Sequence, residues 1–253
     1  MKLTTSCSLL IFAAIMCAGC GPGAMVADKH LETAGRMLAR NQVARARAEI
    51  ERAIEAHPSD VAIYHGAMKL CVMYRCYREA AAVGERLLAQ AARGSFVPPL
   101  TKRELASLNS SVGGFYSLDR DLANAEKYFR RALELEPENP TYLNDLGYTY
   151  ADRGVRIREA LALTRRAVRM KPDDGAFIDS LGWAEFKAGN NQGAIKHLRR
   201  AAQLLSNDAT IRYHLGVAYA RAGRKQEAWV ELKKAFLIDP GLKEAYTEIK
   251  KLH

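Results

Sequence analysis

The sequence predicts an all-α fold, a right-handed α-α superhelix of repeated helix pairs, and three observations support this prediction. The chain has 253 residues, 49% of them hydrophobic and 26% charged, which is an ordinary globular composition. It contains only eight prolines and 18 glycines, and it uses Ala, Leu, Arg and Glu heavily, all of which favour helices. Small residues and prolines also recur about every 34 residues, and such a period indicates an array of helical repeats.

Small residues carry this repeat in three registers. The members are Gly147, Gly182 and Gly216; Ala125, Ala160, Ala194 and Ala228; and Ala132, Ala167, Ala201 and Ala235. Glycine and alanine let two helix backbones approach closely, while bulkier residues fill the groove beside them. Pro137, Pro172 and Pro240 follow at the same phase, where proline ends a helix. Each unit is therefore predicted to be two helices joined by a turn.

The pattern resembles the tetratricopeptide repeat. Its conserved positions are matched in one unit by Leu143, Leu146, Gly147, Tyr150, Ala160, Ala167 and Pro172. The resemblance implies four units over residues 106–242 and two degenerate units over 27–94, separated by a linker or insertion at 95–105. An extra residue between 147 and 160 predicts a longer turn there. Residues 243–253 are predicted to form the capping helix that repeat arrays need.

The first 19 residues have the features of an export signal. A basic start and an apolar run of about ten residues precede Ala18-Gly19-Cys20, and about 20 residues are needed to cross a bilayer. Small residues before a cysteine resemble the lipobox of bacterial lipoproteins, in which that cysteine is acylated. The resemblance implies a signal peptide at 1–19, a palmitate-bearing Cys20, a tether at 20–26 and an outer-membrane location facing the periplasm. Ordinary secretion and an uncleaved anchor are the alternatives.

The chain is basic, with 38 Lys and Arg against 28 Asp and Glu, so an acidic partner is favoured. Part of this charge forms a basic stripe on the predicted second helices, which consists of Arg165, Arg166, Arg169, Lys196, Arg199, Arg200, Lys233 and Lys234. The stripe is either a solvated face or a contact for anionic lipid, lipopolysaccharide or peptidoglycan. Nucleic-acid binding is disfavoured because no recognition helix or stacking platform appears.

No sequence motif indicates catalysis. The chain lacks a phosphate-binding loop, a zinc-protease motif and a nucleophile elbow, and its six histidines are scattered. We therefore expect no enzyme activity, no cofactor and no metal site. Cys71 and Cys76 would lie about 7.5 Å apart along one continuous helix, too far for a disulfide. They are either two small buried residues or, if a helix ends between them, a disulfide across a helix-helix turn.

The resemblance also implies a binding groove, because the first helix of each tetratricopeptide unit lines the concave surface. The positions that point into it are Asn144, Tyr148 and Asp152; Asp179, Trp183 and Lys187; and Tyr213, Val217 and Arg221. Tyr148, Trp183 and Tyr213 are predicted anchors for a protein partner. The alternative is that Tyr148 and Trp183 only pack between units. The family's carboxylate-clamp pattern is absent, which disfavours a cytosolic chaperone adaptor.

These observations predict a non-catalytic, lipid-anchored scaffold or adaptor in the bacterial envelope, with a role in the assembly of a pilus or secretion machine. In length and repeat number the chain resembles the pilotin-like lipoproteins that assist the type IV pilus secretin. The alternatives are an accessory subunit of a cell-wall or exopolysaccharide synthesis enzyme and, without an export signal, a cytoplasmic RNA-linked scaffold. The oligomeric state is left open.

Overall fold

The computed structural model describes residues 22–252, and all the regular elements in that range are helices. There are thirteen: α1 (Pro22–Ala39), α2 (Val43–Ala56), α3 (Val61–Met73), α4 (Tyr77–Ala92), α5 (Lys102–Leu118), α6 (Leu122–Leu135), α7 (Pro140–Arg153), α8 (Ile157–Met170), α9 (Gly175–Lys187), α10 (Asn191–Leu204), α11 (Ala209–Arg221), α12 (Lys225–Ile238) and α13 (Lys243–Lys251). The all-α prediction is confirmed. The predicted signal peptide and Cys20 lie outside the described residues.

The described helices belong to two compact units that meet in sequence between Leu100 and Thr101. Unit 1 contains α1 to α4, and unit 2 contains α5 to α13. Within each unit, consecutive helices pack as pairs, and the two helices of a pair are joined by three residues. Four residues join most successive pairs, whereas nine separate α4 from α5. Because of this regular spacing, residues one repeat apart occupy the same position in successive helix pairs.

Two helices begin earlier than the sequence analysis predicted. The predicted tether at 20–26 overlaps α1, which begins at Pro22, because proline is well accommodated in the first turn of a helix. The predicted linker at 95–105 overlaps α5. Thr101 accepts a hydrogen bond from the backbone N–H of Glu104, whose carboxylate accepts one from the Thr101 N–H, and this capping box starts the helix at Lys102.

The turns within the helix pairs depend on left-handed backbone conformations. In five of the six pairs of the described chain, one central residue is left-handed, as at Gly189 and Gly223. The turn after α7 contains two such residues, Gly154 and Arg156, with φ of 67° and 47°. The predicted longer turn is wrong, because this turn also has three residues; the extra residue lies in α7, which has 14 residues where α9 and α11 have 13.

The repeated small residues form close helix contacts in unit 2. All eight alanines of the two alanine registers are fully buried. A Cβ atom built on Gly182 would lie 2.7 Å from Leu198 Cγ, and one on Gly216 would lie 2.6 Å from Leu232 Cγ. Real Cβ atoms do not approach other atoms so closely. The 34-residue period thus reflects one packing contact that recurs in successive helix pairs.

Cys71 and Cys76 lie on either side of a helix break, because α3 ends at Met73 and α4 begins at Tyr77. Both are free thiols in the structure. Burial raises the pKa of the Cys71 thiol to about 12 and also raises that of Cys76. The break that a disulfide would require is present, and the disulfide stays a prediction.

Within residues 22–252, no helix combines the length and the apolar character needed to span a membrane. The same range contains no group of three or more His, Cys, Asp or Glu side chains that could hold a metal ion.

Candidate functional site

The predicted groove residues lie on α7, α9 and α11, the first helices of three consecutive pairs, and α9 packs against both of the others. The structure divides them by depth. Asn144, Asp179 and Trp183 are buried, so they are parts of the packing between helices. Half-buried positions are Tyr148, Lys187, Tyr213 and Val217, while Asp152 and Arg221 are exposed. The groove prediction therefore combines a buried layer with an accessible one.

The buried layer is built around His214, a residue that the sequence analysis did not select. Its Nδ1 lies 2.9 Å from a carboxylate oxygen of Asp179, and its ring stacks on Trp183 with 4.0 Å between centroids. Trp183 also stacks on Phe186 at 4.9 Å, and Tyr148 lies beside His214 at 6.2 Å. These contacts tie α7, α9 and α11 together. Trp183 is thus a packing residue, as the alternative interpretation held, although it also reaches the accessible layer.

The accessible layer contains a cleft between α9, α11 and α13, which we call the aromatic cleft. It is an open cleft with a volume of about 510 Å³. It is lined by Trp183, Phe186, Lys187, Tyr213, Val217, Ala220, Arg221, Glu248 and Lys251. Groove positions predicted from α9 and α11 meet here, whereas Asn144, Tyr148, Asp152 and Asp179 do not line the cleft.

Two cations of the cleft are held on aromatic rings. Lys187 Nζ lies 4.8 Å from the Trp183 ring centroid and donates a hydrogen bond to the backbone oxygen of Asp152. The Arg221 guanidinium lies 5.5 Å from the centroid of Phe186. Lys251, by contrast, pairs with Glu248 at 2.6 Å. Burial raises the pKa of Tyr213, so its hydroxyl stays protonated at neutral pH.

Sequence reasoning missed Phe186, His214, Glu248 and Lys251. His214 could have been found, because it lies 35 residues after Asp179 and an acid and a histidine at that offset occupy adjacent first helices. Glu248 and Lys251 belong to α13, which the sequence analysis treated only as a cap. Phe186 lies one residue from a predicted groove position. Its stacking on Trp183 is the signal that assigns it, and only the structure shows that stacking.

The basic stripe of the second helices is partly neutralised. Arg166 pairs with Glu138 at 2.7 Å and Arg200 with Asp173 at 2.6 Å. Arg165 and Lys234 also lie within 4.0 Å of carboxylates, those of Glu185 and Glu231. The other four members have no carboxylate within that distance in the part of the chain that the structure describes: Arg169, Lys196, Arg199 and Lys233.

A second polar cluster lies between α5 and α7. Ser110 Oγ donates to Asp145 Oδ2 at 3.2 Å, and the Arg153 guanidinium donates to the Ser117 backbone oxygen. Burial raises the pKa of Asp145 from its usual 3.8 to about 6. The folded state therefore binds the Asp145 proton more tightly than the unfolded state, and stability falls as the pH rises from about 4 to about 6.

Replacing Asp145 by asparagine removes the cost of keeping a buried carboxylate ionised at neutral pH. We expect Asp145→Asn to raise the free energy of unfolding at pH 7 by about 1 kcal/mol and to have no such effect near pH 4. Urea titrations at the two pH values measure the difference. Asp152→Asn, which changes an exposed carboxylate on the same helix, serves as the control. Equal stability of Asp145→Asn and the parent at pH 7 would contradict the argument.

Comparison with known proteins identifies the repeats. Family models match twice: a tetratricopeptide repeat model over residues 119–175 and a TPR repeat model over residues 182–223. A TPR repeat-containing protein of Pseudomonas aeruginosa is 43% identical over 83 residues, which are 33% of this chain and 14% of that protein. The chain thus spans a small part of that relative.

Comparison with solved structures supports the same fold through one of them, the APC/C hetero-tetramer. The crystal structure of the APC/C hetero-tetramer Cut9-Hcn1 superposes with a TM-score of 0.65 at 17% identity, over 96% of this chain and 45% of that chain. YrrB, described as a TPR protein with an unusual peptide-binding site, gives a TM-score of 0.48 at 22% identity, over 79% of this chain and 97% of that chain. At such identity, the likeness to Cut9-Hcn1 shows the fold alone.

The paired helices and their recurring small-residue contacts define an all-α superhelical repeat protein. The chain contains tetratricopeptide repeats, which family models match over residues 119–175 and 182–223. Such repeats build scaffolds for protein-protein interaction, and proteins of this kind are typically non-catalytic.

Proposed function

We propose that this protein is a non-catalytic adaptor that binds a protein partner in the aromatic cleft of unit 2. A lipid on Cys20 holds it to a bacterial envelope membrane, with the outer membrane facing the periplasm as the proposed location. There it helps to assemble an envelope machine such as a pilus or secretion complex. The observation that carries the binding role is the cleft itself, in which three aromatic side chains and two cations from first helices converge.

The chemistry of the cleft suits a protein side chain. Phe186, Val217 and Ala220 offer apolar surface, and a partner residue that enters the cleft removes this surface from water. Aromatic and arginine residues dominate the binding energy of protein interfaces because they combine large contact areas with polar groups. The buried stacking of Trp183 on His214 holds the cleft wall in place before a partner arrives, which reduces the entropy lost on binding.

Photo-crosslinking tests where the partner binds. A photoreactive amino acid at Val217, inside the cleft, is expected to crosslink a partner in membranes of the native bacterium, and mass spectrometry identifies it. The matched control places the same amino acid at Lys196 on the exposed side of α10. A secretin or pilus component crosslinked at Val217 supports assembly. A cell-wall or polysaccharide synthase would replace that role with an accessory subunit, and crosslinks at Lys196 alone would reject the cleft.

The lipid anchor has its own test. Cys20→Ala is expected to abolish incorporation of labelled palmitate and to release the protein from sedimented membranes, because acyl chains supply the membrane affinity. Cys17→Ala, which changes a nearby cysteine of the predicted signal, is the control and should retain the label. Persistent labelling of the Cys20→Ala chain would reject Cys20 as the acylation site. Circular dichroism shows whether the released protein is still folded.

A further inference from the structure

We infer that the aromatic cleft takes an acidic segment of a partner protein in which a bulky apolar side chain is flanked by carboxylates. The inference rests on the proposed function, since it names the partner chemistry of the same site. It follows from two properties of the cleft: an apolar patch formed by Phe186, Val217 and Ala220, and cations at its edge that have no carboxylate within 4 Å in the described part of the chain.

The interior of the cleft explains the apolar side chain. Phe186, Val217 and Ala220 line it together with Trp183, and its volume is about 510 Å³. Trp183 is stacked on two neighbouring rings, so the wall it forms cannot rotate into the cleft and fill it. A leucine, isoleucine or phenylalanine side chain of a partner would cover the apolar surface of Phe186, Val217 and Ala220 and displace water from it.

The charges explain the flanking carboxylates. Lys187 and Arg221 have no carboxylate within 4 Å in the described part of the chain, although many other cations of unit 2 do. Each cation lies on the face of an aromatic ring, which holds its charge at the cleft rather than out in solvent. A carboxylate that approaches from a partner would pair with these two cations and supply the counter-charge that the described chain does not place within 4 Å of them.

The same charges disfavour other segments. The acid among the lining residues, Glu248, is already paired with Lys251. Lys187 and Arg221, by contrast, have no carboxylate of the described chain within 4 Å, so a basic segment would find fewer partners along the lining than an acidic one. A neutral segment would cover Lys187 and Arg221 without compensating them, and covering a charge without a partner is unfavourable. An anionic membrane surface could supply negative charge, but it would place no single bulky side chain in a cleft walled by three helices.

Binding can be measured with Trp183 as the reporter. The chain has two tryptophans, so the full chain with Trp229→Phe, kept in a non-ionic detergent, leaves Trp183 as the single reporter. Three twelve-residue peptides serve as probes: one alternates leucine with glutamate, the second alternates leucine with lysine, and the third alternates serine with glutamate. Mixed micelles of the same detergent with phosphatidylglycerol are the fourth probe and present an anionic lipid surface. The change in Trp183 fluorescence with probe concentration gives the dissociation constant of each probe. We expect the leucine-glutamate peptide to bind at least about tenfold more tightly than any other probe.

Paired charge reversals locate the effect. The double variant Lys187→Glu with Arg221→Glu is expected to weaken binding of the leucine-glutamate peptide by about tenfold or more and to strengthen binding of the leucine-lysine peptide. Lys196→Glu with Arg199→Glu changes the net charge equally on the exposed side of α10 and is expected to leave both affinities within about twofold. Thermal unfolding confirms that both double variants are folded. The double variant Lys187→Gln with Arg221→Gln removes the two charges without reversing them and is a milder test of the same two cations.

Several results would overturn the inference. It fails if the leucine-lysine peptide binds as well as the leucine-glutamate peptide, if the phosphatidylglycerol mixed micelles change the Trp183 fluorescence more strongly than the peptides, or if no peptide binds up to millimolar concentration. It also fails if both double reversals weaken binding equally, because the attraction would then come from net charge. The proposed function is judged separately, since a partner crosslinked at Val217 upholds the cleft even when its bound segment is not acidic.

Discussion

Replacing Trp183 by alanine is expected to lower the free energy of unfolding of unit 2 by about 3–5 kcal/mol, the range found for buried tryptophans. The side chain is only 5% exposed and stacks on both Phe186 and His214. Its removal leaves a cavity beside the buried His214–Asp179 hydrogen bond, where the surrounding helices cannot fully collapse. Urea denaturation followed by circular dichroism measures the loss.

The other tryptophan offers a matched control. Trp229 lies on α12 with 37% of its surface exposed, so Trp229→Ala removes the same side chain from a site that is already hydrated. We expect this variant to lose less than about 1 kcal/mol. Comparable losses in the two variants would contradict the packing role of Trp183. The comparison also limits binding experiments, because a weakened partner affinity of Trp183→Ala includes the loss of a stable cleft wall.

A single added methyl group at Gly182 is expected to cost about 2–3 kcal/mol of stability. A Cβ atom there would lie 2.7 Å from Leu198 Cγ and 3.2 Å from the Leu198 backbone nitrogen. Leu198 is fully buried, so its side chain has no free space into which it could turn. The clash with the backbone nitrogen forces α9 and α10 apart, and every contact along this helix pair weakens with it.

The same substitution at Gly114 should have the opposite sign. Gly114 lies within α5, and a Cβ atom there would have no heavy atom of another group within 4 Å. Because alanine favours the helix over glycine, Gly114→Ala is expected to raise the free energy of unfolding by about 0.5–1 kcal/mol. Thermal and urea unfolding of both variants provide the measurement. A stabilising Gly182→Ala would show that the close approach of α9 and α10 is not required.

Much of the fold could be predicted because the repeat is a packing contact. Gly182 and Gly216 meet Leu198 and Leu232 in the same way, one period apart, so the spacing of small and bulky residues predicts which helices pair. The starts of α1 and α5 were harder to predict. They depend on a proline at the first helical position and on the Thr101 capping box, which are local features outside the repeat pattern.

The candidate site was predicted only in part. The resemblance to tetratricopeptide repeats implied which helix face lines the groove, and the repeat phase placed Trp183, Lys187, Val217 and Arg221 on that face. It did not distinguish the buried Asp179 from the accessible Lys187. Burial depends on what the neighbouring helix places opposite each residue, and here His214 opposite Asp179 closes the buried layer.

The sequence by itself determined that this protein is a series of helix pairs, since close helix contacts tolerate only glycine or alanine and therefore leave a period in the chain. The tertiary structure alone decided which side chains meet. His214 contacts Asp179 across 35 residues, and Glu248 of α13 completes a cleft begun by Trp183 on α9. The physical reason is that helix formation and pairing depend on local periodicity, whereas the contents of a cleft depend on how successive pairs stack in space.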